Sequence, residues 1–147
     1  MQGGKKIAEG GYGCVYYPAL NKDGNENNDE SIITKLMEYN DIAKNEIEIG
    51  KTITIINGYK NHFSPVIANS FLNKKIIQKD IFKNCSVIDT KNIIKKFILL
   101  KMDYIKGDDF LNYVLKNNEK LIVKNIINSY THLLRSILLL EDYSIIH

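Results

Sequence analysis

The chain has 147 residues and a mass of 16.9 kDa, a size that suits one domain with a core of its own. Its 44% hydrophobic and 25% charged content excludes a disordered tail or a fibre. The net charge is +3, and 19 of the 20 basic residues are Lys, with Arg135 alone, which argues against specific nucleic-acid recognition.

No apolar run approaches the roughly 18 residues that a membrane span needs. The best, Phe97–Leu100, is closed by Lys101. Met1–Lys6 carries charge without a following apolar stretch, so it does not read as a signal peptide. Cys14 and Cys85 are too few for a disulfide framework and lack metal-ligand spacing. Together these features predict free thiols, a cytoplasmic location and no membrane partner.

Lys5–Leu20 alternates apolar and polar residues around Gly10, Gly11 and Gly13, which predicts two short strands joined by a Gly-rich turn. Such a cluster serves an ordinary hairpin as readily as a phosphate-cradling loop. A strand on each side argues against a dinucleotide fingerprint or a P-loop, both of which continue into a helix. Asn21–Glu30 has no apolar residue and reads as a solvated loop, and Ser31–Met37 as a third strand. Asn40 or Asp41 caps a helix reaching Asn57–Gly58, with a predicted core stripe of Ile42, Glu46, Ile49, Ile53 and Ile56. A carboxylate on that stripe requires a partner, because desolvating it unpaired costs several kcal/mol. Lys35, on the strand just before, is the candidate cation. Gly50 weakens the helix by about 1 kcal/mol relative to Ala.

Val66–Leu72 and Lys96–Met102 complete five strands, while Asn73–Lys95 is an insertion or a small strand pair of its own. Gly107, Asp108 and Asp109 mark a turn and helix cap before a short helix from Phe110. Glu119–Asp142 is a long helix with the stripe Ile122, Ile126, Tyr130, Leu133, Ile137 and Leu140. His62 and His132 lack partners at ligand spacing and read as surface or packing residues; Cys14 reads as an inert small residue, with a redox-sensitive thiol as the alternative.

These motifs, in this order, resemble the N-terminal lobe of a eukaryotic-type protein kinase. Ala8–Val15 is similar to the family's G-x-G-x-x-G-x-V loop, with Gly10 and Gly13 matching and Ala8 in place of the first glycine. Ile32–Lys35 resembles the V-A-I-K strand, which makes Lys35 the lysine that holds the α- and β-phosphates and Glu46 its partner on the C helix. His62–Ile67 resembles the loop into the fourth strand. Leu100–Phe110 is similar to the gatekeeper, hinge and entry to the next helix, with Met102 as gatekeeper and Asp103, Tyr104 and Ile105 offering backbone groups to adenine. Leu140–His147 looks like a helix running into the His of H-R-D. The wording around the loop also resembles serine/threonine kinases of large DNA viruses.

The resemblance implies an α+β fold: residues 1–105 as a kinase-like lobe with a five-stranded antiparallel sheet and the C helix, and 106–147 as the hinge exit and first helices of an incomplete helical lobe. It implies ATP with Mg²⁺ as ligand, bound by Ala8, Gly10, Gly11, Tyr12, Gly13, Val15, Ile33, Lys35, Met102, Asp103, Tyr104 and Ile105, with Ile33 narrowing the adenine pocket. Lys35, Glu46 and His147 are the expected catalytic-motif residues, and no metal ligand is expected in the chain. The catalytic-loop Asp and Asn and the D-F-G Asp would follow His147, so these 147 residues alone are expected to be inactive. The alternatives are a non-catalytic kinase-like interaction module, using the exposed side of the last helix, and an unrelated α+β domain.

Overall fold

The computed structural model describes residues 4–25, 29–78, 80–88, 95–108 and 110–145. Its fold is α+β, with a five-stranded antiparallel sheet and four α-helices among the described residues. The strands are β1 (Lys5–Gly10), β2 (Gly13–Tyr17), β3 (Ile32–Glu38), β4 (Ala68–Phe71) and β5 (Phe97–Asp103), in the order β1-β2-β3-β5-β4. The helices are α1 (Asp41–Thr54), α2 (Lys74–Ile77), α3 (Phe110–Lys116) and α4 (Glu119–Asp142). His147 and Asp109, expected as a motif residue and part of a cap, lie outside the described residues.

Strands β3 and β5 are central, and their side chains alternate between two buried faces. On one face Met37, Ile98 and Leu100 pack with Ala43 of α1 and Val66, flanked by Tyr39, Ile47 and Met102. On the other, Cys14, Tyr16, Leu36, Phe97 and Leu99 meet Leu20 and the β4–β5 connection. Thr34 also lies fully buried, and its Oγ1 accepts from the Leu20 N–H at 3.0 Å. The bond satisfies both groups, so burying that hydroxyl carries little penalty.

The Asn73–Lys95 connection is no strand pair where it is described. Asn73 caps α2 by accepting from the Lys75 N–H at 3.1 Å, and a 3₁₀ turn follows at Asp80–Phe82. This segment lays Leu72, Ile77, Phe82, Cys85 and Ile88 on the sheet, and Phe82 meets Tyr16 edge-on at 5.8 Å. Each large side chain buried there contributes about 1.5–3 kcal/mol of transfer free energy. The cover is also tied to β1 and β2. Ser86 N–H donates to Glu9 at 2.9 Å, Lys6 bonds both Glu9 and the Asn84 carbonyl, and Cys85 forms a disulfide with Cys14. The expected free thiols are therefore replaced by a bond, and Cys14 is a cross-link rather than an inert small residue.

Helix α1 begins as expected, with Asn40 Oδ1 accepting from the Ala43 N–H at 3.1 Å. It ends at Thr54 rather than at Asn57–Gly58, because a tightened turn from Ile56 N–H to Ile53 carbonyl buries Ile56. Its core face also differs from the expected stripe. Ile42 and Ile49 are exposed, and the face toward the sheet is Ala43, Glu46, Ile47 and Gly50. Small residues face inward there because the helix passes close to the Val66 backbone, just before β4. A Cβ on Gly50 would stand 2.5 Å from the Val66 carbonyl oxygen, so Gly50 fits a close approach and leaves no gap.

In α4 the expected stripe holds at Ile122, Ile126 and Leu140, which are half-buried, whereas Tyr130, Leu133 and Ile137 are exposed. The helix docks instead through polar groups: Ser136 is buried and bonds His62 Nδ1 at 3.0 Å, and Asn125 donates to the Tyr113 hydroxyl at 2.6 Å. His62 and His132 stack at 4.8 Å and serve packing.

Two predictions test this packing. Gly50→Ala gains about 1 kcal/mol of helix propensity, but overpacking against a backbone oxygen costs about 1–3 kcal/mol. The expected result is a lower urea midpoint, and a raised midpoint would refute the close approach. The second concerns Glu9, whose carboxyl is held down from 4.5 to about 2, first by Lys6 and then by Ser86. A lowered carboxyl favours the folded chain above pH 4.5, and the contribution fades as pH falls toward about 2. The stability difference between the wild type and Glu9→Gln is therefore expected to be full at neutral pH and to narrow below pH 4.5. Denaturation midpoints across that range measure it, and a pH-independent difference would refute the tie.

Candidate functional site

The period-two alternation of β3 sends Ile33, Lys35 and Met37 to the α1 face. Register adds their neighbours: Val15 stands across from Lys35 on β2, Ala8 across from Val15 on β1, and Met102 across from Ile33 on β5. This one face has two halves. Under α1, Met37, Ile98 and Leu100 are fully buried, while toward the hairpin and the end of β5 Val15, Ile33 and Met102 are only half-buried. Lys35 stands at the boundary.

Glu46 reaches that boundary from α1. Lys35 Nζ donates to Glu46 Oε1 at 2.6 Å and to Oε2 at 2.9 Å, with the two side chains 24% and 29% exposed. The pair expected from the sequence is thus formed, and the stripe's carboxylate has the cation it requires. An ammonium carries three N–H donors, of which the carboxylate engages two. The arrangement fixes a positive charge beside a half-open apolar shelf of Val15, Ile33 and Met102. An anionic oxygen at Lys35 and a flat apolar group on the shelf are the ligand features that such a surface accommodates.

The Gly-rich segment is a two-residue hairpin. Gly10 pairs with Gly13, leaving Gly11 and exposed Tyr12 at the tip. Gly13 is required by packing, since a Cβ there would lie 2.5 Å from the Leu36 carbonyl oxygen. A Cβ on Gly10 or Gly11 would meet nothing within 4 Å, so these two line open space. Their backbone can approach a ligand more closely than a side-chain-bearing residue allows.

At the end of β5 the backbone is partly engaged. Tyr104 N–H donates to the Ser31 carbonyl at 2.7 Å, and the Asp103 carbonyl accepts from Ser64 Oγ at 2.8 Å. Tyr104 stacks on Tyr17 at 4.1 Å, and Ile105 is exposed. Of the three residues expected to address adenine, Tyr104 has its N–H committed to strand pairing, and Asp103 keeps one carbonyl lone pair beyond the bond to Ser64. Ser64 escaped sequence reasoning because its partner is a backbone atom 39 residues away.

A cleft of about 1080 Å³ opens elsewhere, between His62–Phe63, α3 and α4, and neither Lys35, Glu46 nor the hairpin lines it. Its wall is largely the apolar side of α4. Among the described residues no group of three or more His, Cys, Asp or Glu could hold a metal ion, and no helix is long and apolar enough to cross a membrane. Comparison with protein-family models, with curated proteins and with solved structures found no match. Function is therefore inferred from the residues and their geometry.

Proposed function

We propose that the chain is the ATP-binding part of a protein kinase of serine/threonine type, and that its own residues bind and orient the nucleotide. The observation that carries this reading is the two-point Lys35–Glu46 bond on the sheet face next to the Gly10–Gly13 hairpin. In phosphoryl transfer the protein contributes mainly positioning and charge stabilisation. Lys35, held in place by Glu46, would meet the α- and β-phosphates, and the backbone of Gly10 and Gly11 would close over them. Val15, Ile33 and Met102 would enclose the adenine ring, with Ala8 above, while Asp103 and Ile105 address its edge. Ile33 is bulkier than the family's alanine and narrows that slot. Bound Mg²⁺ would neutralise phosphate charge, and its ligands are not among the residues described. The base and metal ligands of the transfer step are assigned to none of these residues, and the function proposed for them is nucleotide clamping.

A second reading, a non-catalytic kinase-like interaction module, is favoured by one observation. Tyr130, Leu133, Leu134 and Leu138 of α4 are each more than half exposed, an apolar surface suited to a protein partner.

A thermal-shift titration separates the two. When Mg-ATP exceeds its dissociation constant about 100-fold, binding adds about 2.7 kcal/mol, which raises the melting temperature of a domain this size by roughly 9 °C. The rise is expected to vanish in Lys35→Ala. It should persist in Lys95→Ala, which removes a comparable ion pair with Glu38 at 2.6 Å outside the site. An unshifted wild type would remove the nucleotide reading and leave the interaction module.

A further inference from the structure

We propose that the Cys14–Cys85 disulfide is a redox latch that sets the mobility of the Gly-rich hairpin, and through it the affinity for nucleotide. The mobility is a property of the fold; the affinity consequence rests on the nucleotide reading above. Cys14 follows Gly13 directly, and its neighbour across the sheet is Leu36. It therefore faces the cover, on the side of the sheet opposite Lys35. The bond joins it to a residue 71 positions away. One covalent link thus anchors the root of the hairpin to the 73–88 segment.

Stability alone does not call for this link. A chain of this length can bury roughly 70% of its unfolded surface and form a core without staples. The cover is held by Leu72, Ile77, Phe82 and Ile88, and β1 is held to it by Glu9 and Ser86. Cutting the disulfide leaves those contacts in place and releases only the covalent hold on β2. Both cysteines of the chain are spent on this one position. Where isolated disulfides occur in intracellular proteins, they are commonly transient and redox-sensing.

The chemistry is thiol–disulfide exchange with a dithiol reductant. One thiolate of the reductant attacks Sγ of Cys85, the S–S bond breaks, and Cys14 leaves as a thiolate. The reductant's second thiolate then attacks its own sulfur in the mixed disulfide and expels the Cys85 thiolate. Two electrons pass to the protein, both thiolates take up protons, and the reductant departs as its internal disulfide. Cys14 and Cys85 are 0% and 2% exposed, so the reductant reaches them when the 80–88 segment opens. That segment is a single 3₁₀ turn followed by irregular chain, and opening it exposes Phe82 and Ile88, so reduction is slow and requires local unfolding of the cover.

In the oxidised chain the root of the hairpin is fixed before ligand arrives. In the reduced chain it has more conformations to lose on closing over phosphates, which weakens binding by about three- to tenfold. The test compares air-oxidised protein, the same protein in dithiothreitol, and Cys85→Ser. Peptide mass spectrometry reads the thiol state, hydrogen exchange reads residues 8–17, and calorimetric titration reads Mg-ATP affinity. Faster exchange at 8–17 and weaker Mg-ATP binding in both reduced forms are expected, with exchange in α1 unchanged. Free thiols in the air-oxidised protein, or equal exchange at 8–17 in all three forms, would overturn the latch. If exchange responds but no form binds Mg-ATP, the nucleotide reading and the affinity consequence fail while the hairpin latch stands. If exchange responds and affinity does not, the affinity consequence alone fails. Should Cys85→Ser not fold, wild type with and without dithiothreitol decides the same questions.

Discussion

Strand β3 is buried on both faces, and a strand's period of two then fixes which chemistry each face carries. Lys35 and Ile33 fall on the α1 side, while Thr34 and Leu36 fall on the side of the 73–88 cover. A slip of one residue would put the ammonium into the apolar layer around Phe82 and Leu99 and turn Leu36 toward Glu46. Desolvating that charge without a partner costs several kcal/mol, more than a single apolar contact returns. The Lys35–Glu46 bond and the two hydrophobic layers therefore specify the same register. The position of the hairpin follows from it, since β2 pairs along β3 with Val15 opposite Lys35.

The local signals were readable in sequence because they are short-range. Alternation marked the strands, Asn40 or Asp41 marked the start of α1, and a carboxylate on an apolar helix called for a cation nearby. What escaped depended on partners distant in the chain. In α1 the isoleucines at 42, 49 and 53 formed an apolar row, yet the helix lies so close to the Val66 backbone that Ala43 and Gly50 face inward. Hydrophobicity ranks such positions last, whereas space at the interface ranks them first. With 24 isoleucines in the chain, apolar periodicity alone separates core from surface poorly. The disulfide was hidden for a related reason: two cysteines 71 residues apart meet only once β2 and the β4–β5 connection have packed.

The two parts of the chain are held by different physics. The sheet and its covers rest on apolar burial, whereas α4 meets the rest through Ser136 with His62, the stacked His62–His132 rings, and Asn125 with Tyr113. Exchanging water hydrogen bonds for protein ones gains about 1 kcal/mol each, less than the burial of a single large side chain. The sheet is accordingly the stable unit, and α4 is the element expected to respond first to denaturant. Of the apolar residues of α4, Ile122, Ile126 and Leu140 are half-buried, while Tyr130, Leu134 and Leu138 remain in solvent and do little to hold it.

The hairpin stands between two kinds of restraint. On the cover side it has a carboxylate bonded to an N–H, an ammonium bonded to that carboxylate, and a disulfide. The polar tie responds to pH only in the acid range, because Glu9 stays ionised until about pH 2. The covalent tie responds to thiols and is indifferent to that range. On the Lys35 side Val15 is half-buried, and at the end of the hairpin a Cβ on Gly10 or Gly11 would meet nothing within 4 Å. Restraint on one face and room on the other is the condition under which a loop can close in one direction without losing its root. The proposed clamping of a nucleotide draws on that asymmetry: the groups that would meet phosphate lie on the open side, and those that limit the hairpin's freedom lie behind the sheet. Chemistry at the back of the sheet can then alter binding at the front without touching the ligand, because the freedom of the hairpin root enters the free energy of closure.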